Sequence, residues 1–127
     1  YSRFARDVAN RKSQLMEMLS RLRSEGKTIA GYGASGRANT MIQYCGINHE
    51  HVSYMIDDAP AKTGLYTPGS HLLIHPRSIL DSGQAPDYLL IFAWSFLNEI
   101  SKNCAPYLAA GGQMILPLPN VRIVTLP

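Results

Sequence analysis

The sequence predicts a single α/β domain in three layers, with a mainly parallel, doubly wound sheet in the middle and a long helix ahead of the first strand. Three observations lead there. Short apolar runs alternate with helical patterns along the chain, the order that makes βαβ units rather than hairpins. The run from Asp87 to Ala93 is almost continuously apolar, as a strand buried on both faces of a parallel sheet has to be. A length of 127 residues, 46% of them apolar, suffices for one sizeable core but not for two ordinary domains.

From Ser2 to Glu25, the residues Phe4, Val8, Leu15, Leu19 and Leu22 keep helical spacing, and Gly26 supplies the stop. This amphipathic helix, residues 1–26, either packs on the sheet or connects the domain at 27–127 to one before it. Thr28 to Tyr32 is β-prone and runs straight into a glycine-rich turn, after which Arg37 to Tyr44 forms a helix that Gly46 ends. His51 to Ile56 is the second strand, with Asp57 and Asp58 at its C-terminal edge. Strand, turn, helix and strand make a crossover unit, which is right-handed with parallel strands in nearly all cases.

A loop rich in Pro and Gly follows from Ala59 to Ser70, and long loops in compact domains are often binding loops. Leu72 to Ile74 is a short strand, His75-Pro76 opens a short helix to Leu80, and the strand at Asp87 to Ala93 ends on Trp94. Ser95 is the expected N-cap of a helix running through Phe96, Leu97, Ile100 and Leu108, which Gly111-Gly112 stops. Gln113 to Leu116 is the next strand and Val121 to Leu126 an edge strand. The result is a Rossmann-like sandwich. Ligands in such folds lie over the C-terminal edges of the strands, which singles out Gly31 to Gly36, Asp57 to His71 and Trp94 to Glu99.

The net charge of +3 comes largely from Arg3, Arg6, Arg11, Lys12, Arg21, Arg23 and Lys27, with Asp7, Glu17 and Glu25 among them. Such a mixed-sign stripe reads as the solvated face of a helix, and no basic patch with interleaved aromatics suggests nucleic acid. Cys45 and Cys104, far apart on helical segments, read as reduced, buried thiols rather than a secreted framework, which makes the cytoplasm the expected compartment. No apolar run approaches the roughly 18 residues of a membrane span. The chain starts at Tyr1 with neither an initiator methionine nor a signal peptide, which suggests an excerpt of a longer protein.

Gly31, Gly33 and Gly36 form a G-x-G-x-x-G at a strand-to-helix turn, and Asp57 follows roughly 20 residues later, as in a dinucleotide fingerprint. The glycines would bring backbone N–H groups against an anionic or polar ligand, and Asp57 would accept from ribose hydroxyls. The same residues also suit a purely structural part, with glycines for close strand–helix packing and Asp57 capping a turn. A phosphate loop is excluded because Arg37-Ala38 stands where Lys and Ser or Thr are needed. A hydrolase elbow around Ser35 lacks its last glycine and an evident base. Cys45, His49 and His51 crowd together but show no fourth metal ligand. Trp94, at a strand's C-terminal edge, is either core or a ligand platform.

Several motifs in order carry a resemblance: Gly31-Tyr32-Gly33-Ala34-Ser35, Asn39-Thr40, Asp57 with Lys62, Tyr66-Thr67-Pro68-Gly69-Ser70-His71, Pro86-Asp87-Tyr88, and Ala93-Trp94 with Glu99-Ile100. Across about Lys27 to Val121 the chain resembles the C-terminal domain of the sugar C-methyltransferases, which methylate C3 of nucleotide-linked 4-keto-deoxyhexoses. The resemblance departs at Gly36-Arg37-Ala38, where a small residue, Lys and Gly are usual, and at Ser95, where Asn tends to follow the Trp.

That family resemblance implies a larger enzyme. A small zinc-binding domain and a central domain holding S-adenosylmethionine would precede this one, with substrate between the last two. The cofactors, the zinc and the catalytic acid and base then lie outside this chain, and no residue here is catalytic. Substrate contacts are expected from Gly31, Gly33, Ala34, Ser35, Arg37, Asp57, Lys62, Tyr66, Pro68, Gly69, His71 and Trp94. Arg37 is a candidate phosphate ligand, because guanidinium suits bidentate contacts. Two other readings compete: a free-standing module binding a dinucleotide such as NAD, and a scaffold that keeps the fold without a ligand.

Overall fold

The computed structural model describes residues 3–92, 94–117 and 121–124. The side chains of Phe4, Ala5 and Trp94, and the expected element ends at Ser2, Ala93, Thr125 and Leu126, lie outside the described residues. The chain is a mixed α/β fold. Helix α1 spans Arg3–Ser24, β1 Ile29–Tyr32, α2 Gly36–Cys45, β2 Tyr54–Ile56, β3 Ile74–His75, β4 Tyr88–Ile91, α3 Leu97–Asn103, α4 Ala105–Ala109, β5 Gln113–Leu116 and β6 Arg122–Val124.

One sheet holds all six strands in the order β3-β2-β1-β4-β5-β6. The pairs β1–β2, β1–β4, β2–β3 and β4–β5 are parallel, and only β5–β6 is antiparallel. Strand order reverses at β1, whose neighbours are β2 and β4. Crossovers leave in opposite directions there and open a crevice at the strands' C-terminal edge.

Strand periodicity sorts the core into two halves, because successive side chains point to opposite faces. Ile29, Met55, Leu90 and Ile115 pack with Leu15, Leu19 and Leu22 of α1 and Ala38 and Ile42 of α2. Ala30, Ile56, Leu89, Ile91 and Met114 pack with Ile100 of α3, Tyr107 and Leu108 of α4, and Cys104 between the two helices. Helix α1 is therefore part of the core through its C-terminal half. Gly26, at φ +83°, ends it in the left-handed region that glycine enters without a Cβ penalty.

The short helix expected after Pro76 is present as a 3-10 helix, Arg77–Asp81, too short to cover the sheet face as a crossover helix would. Two expectations are corrected. The helix expected to run unbroken from Phe96 to Leu108 is two helices meeting at Cys104. Pro106 has no N–H for the carbonyl four residues back and its ring crowds that group, so it starts a new helix instead. Ser95 is not an N-cap: it lies in a 3-10 turn, Trp94–Phe96, and α3 begins after Phe96 with no side-chain cap.

Candidate functional site

The turn between β1 and α2 is braced from β2. Asp57 Oδ2 accepts the Ala34 N–H at 2.8 Å, and Oδ1 accepts the Ala59 N–H at 2.8 Å. The Lys62 ammonium lies 3.6 Å from Asp57 Oδ2 and donates to the Ala34 carbonyl at 2.9 Å. Gly33 N–H donates to Ile56 O at 2.8 Å, and its φ of +94° is a conformation few side-chain-bearing residues tolerate. Ser35 Oγ accepts the Ala38 N–H at 3.2 Å and caps α2.

Gly33, Ala34, Asp57 and Lys62 thus come together as expected, but they bond to one another. The ribose acceptor expected of Asp57 is already engaged by two backbone donors and a cation. Gly31 is buried in β1, where a Cβ would stand 2.3 Å from Met55 Sδ and 2.8 Å from Phe92 Cε2; its part is close packing rather than surface contact. The geometry of these residues suits the structural part set out for the glycines and Asp57.

Asp58 works on the other face of the sheet. Its Oδ2 accepts the Tyr32 hydroxyl at 2.6 Å, and Arg77 Nη1 lies 3.4 Å from Oδ1. Burial, and then the bond to Asp58, push the Tyr32 phenol well above its ordinary range. Buried Cys104 is pushed up to about 11, chiefly by desolvation, with Arg77 pulling the other way. A thiol of that kind stays protonated at neutral pH and is a poor nucleophile. Cys104 is the buried, reduced thiol expected, but its grouping with Asp58, Tyr32 and Arg77 escaped the sequence reading. Alternation was the available signal: adjacent carboxylates at a strand end face opposite sides, so Asp58 had to find partners on the Tyr32 side.

The 59–75 loop folds back on itself. Gly64 N–H donates to Ile74 O and Ile74 N–H to Leu65 O, and buried Thr67 accepts the Leu72 N–H through Oγ1 at 2.9 Å. Pro68 O accepts the Gln43 amide of α2 at 3.4 Å, and a Cβ on Gly69 would meet that amide at 2.9 Å. Pro68 and Gly69 therefore seat the loop on α2. Exposed Tyr66 and His71 stack at 4.6 Å between centroids, with His71 at φ +58°, the one non-glycine residue beyond φ 0° among those described. Such strain persists only where the surroundings impose it, and it is concentrated at ligand-contacting loops.

Arg37 is exposed on the first turn of α2, apart from the Asp57 brace. The backbone of Trp94 opens the turn after β4; its ring lies outside the described residues. Asn39 carries a buried Oδ1 with no donor among the described residues, an acceptor that a bound hydroxyl or N–H would satisfy. Ser35 Oγ is committed to its cap, His51 Nδ1 accepts the Asn48 N–H, and His75 meets Tyr54 edge-on at 4.8 Å. Among the described residues no group of three His, Cys, Asp or Glu side chains can hold a metal. What the arrangement offers chemically is a rigid strand edge with polar and aromatic groups to hold and orient a ligand.

Residues 1–119 match the family described as the C-methyltransferase C-terminal domain. The chain belongs to that family. It is also 32% identical over 126 residues to the C-methyltransferase NovU of Streptomyces niveus. That alignment takes in 98% of this chain and 30% of NovU, so this C-methyltransferase C-terminal domain spans about a third of the length of its relative. No helix among the described residues is long and apolar enough to cross a membrane.

Proposed function

We propose that the chain is the substrate-side domain of an S-adenosylmethionine-dependent C-methyltransferase, binding a nucleotide-linked sugar over the C-terminal edge of a Rossmann-like three-layer sandwich and closing the cleft against the preceding methyltransferase domain. The match over residues 1–119 carries this reading. The geometry supports a division of labour within it. Asp57, Lys62, Gly31, Gly33 and Ala34 build and brace the edge, Pro68 and Gly69 seat the loop, and the exposed groups Arg37, Tyr66 and His71 meet the ligand, with Trp94 proposed as a further contact.

Three N–H groups at this turn, those of Gly33, Ala34 and Ala38, already have acceptors inside the protein, which weighs against a methyl donor or a dinucleotide as its ligand. The donor and any structural zinc are assigned to the part of the enzyme outside this chain, and the compartment to the cytoplasm. When bound there, the donor supplies the methyl group that an enolate of the sugar attacks. This domain's share is orientation, which can supply several kcal/mol of a barrier, on the order of 7 to 11 in the best intramolecular cases.

The test is methyl transfer to a nucleoside-diphosphate-linked 4-keto-deoxyhexose by the full-length protein. The expected result is turnover that needs both donor and sugar nucleotide, with no NAD requirement. Turnover of a sugar-free acceptor in preference to the sugar nucleotide would overturn the reading.

A further inference from the structure

A groove of about 780 Å³ runs between the N-terminal half of α1 and the outer side of α2. Its floor is apolar, from Val8, Leu15 and Met41, and its rim is cationic, from Arg11, Lys12 and Arg37. Among the described residues no Asp or Glu lines it. Tyr44 stands half exposed at one end, with the Lys12 ammonium 5.0 Å from its ring centroid. Arg11 and Arg37 have no carboxylate partner among the described residues, whereas Arg21 and Arg77 do. An apolar trough walled by unpaired cations is complementary to an apolar strip flanked by carboxylates.

The groove also adjoins the edge described above, because Gly36 and Arg37, on its wall, directly follow the braced turn. On the proposed function, with the chain covering 30% of its relative's length, the larger part of the enzyme precedes this domain and joins it through α1, one wall of the groove. We infer that the α1–α2 groove is the docking surface for an acidic, apolar-faced segment of the part of the same enzyme that precedes this domain. The inference rests on reading the chain as part of a larger methyltransferase. It gives Arg11 and Lys12 a partner where the sequence pattern suggested only a solvated face, and it makes the groove a seat that fixes the angle between the two halves of the cleft.

The experiment is zero-length carbodiimide cross-linking of the full-length protein, without substrate, read by peptide mass spectrometry. The reagent joins an amine to a carboxylate in direct contact, so Lys12 reports its own partner. A mixture of ¹⁵N-labelled and unlabelled protein separates links within a chain from links between chains. The expected product joins Lys12 to an Asp or Glu preceding this domain in the same chain, and the yield falls at least tenfold in an Arg11→Glu, Arg37→Glu double variant. Links only to carboxylates within this domain, links only between copies, or a yield unchanged in the double variant would each overturn the docking surface. Because no substrate is present, that failure leaves the substrate assignment standing, while loss of methyl transfer with the cross-link intact would separate the two the other way.

Discussion

Asp57 accepts the Ala34 N–H at 2.8 Å, a bond from the end of β2 to the turn after β1 that ties together two neighbouring strands beside the point where strand order reverses. The same carboxylate holds Ala59 N–H and faces Lys62. Replacing it by Ala strands two backbone donors and an ammonium, and a largely buried donor left unpaired costs roughly 1 to 3 kcal/mol. Asp57→Ala is expected to lower the stability measured by urea unfolding by about 2 kcal/mol. Asp57→Asn, whose amide oxygen still accepts one bond, should lose about half of that. A variant as stable as the parent would mean that the brace contributes nothing.

Ser35 caps α2 through Oγ. Ser35→Ala should cost about 1 kcal/mol, and Ser35→Gly only a few tenths, because glycine is itself tolerated at N-caps. Thermal unfolding of the two variants checks the order. A hydroxyl acting only on ligand would leave both as stable as the parent.

A methyl group at Gly31 would sit against Met55 and Phe92 beneath the sheet. The Met55 side chain is flexible and gives way, but Phe92 is buried and has little room, so overpacking at the usual cost of about 1 to 3 kcal/mol is expected for Gly31→Ala. Denaturant midpoints test this, with a shift toward lower urea expected and no shift contradicting it.

Cys104 carries a pKa raised by burial from 9.0 to about 11. With its folded value above its unfolded one, the buried thiol contributes stability fully below pH 9 and loses it as the pH rises through about 11. The loss is on the order of 2 kcal/mol. Stability measured from pH 8 to 11 should fall, and Cys104→Ala should flatten that fall while lowering the plateau. Alkylation of the native protein at pH 8 should be slow at this thiol; rapid labelling without unfolding would contradict the burial.

The elements with strong periodic signals were the legible ones. The span of β5 was read residue for residue, α1 and α2 to within one residue at most ends, and the turn at Gly33 from its glycines. The breaks were less visible. Pro106 inside an amphipathic pattern was outweighed by the apolar spacing around it. At the site, the motif located the strand edge and brought Asp57, Lys62 and the turn together, but it could not show that these groups would satisfy one another. That depends on distances across β1 and β2, which sequence spacing does not contain.

The proposed function requires this domain to recognise the sugar nucleotide rather than a dinucleotide or the methyl donor. Calorimetric titration of the 127-residue chain with a nucleoside-diphosphate-linked deoxysugar, S-adenosylmethionine and NAD tests it most directly. Saturable heat is expected with the sugar nucleotide alone, weakened several-fold by Arg37→Ala and by Tyr66→Ala. Saturable binding of NAD or S-adenosylmethionine, with none of the sugar nucleotide, would contradict it.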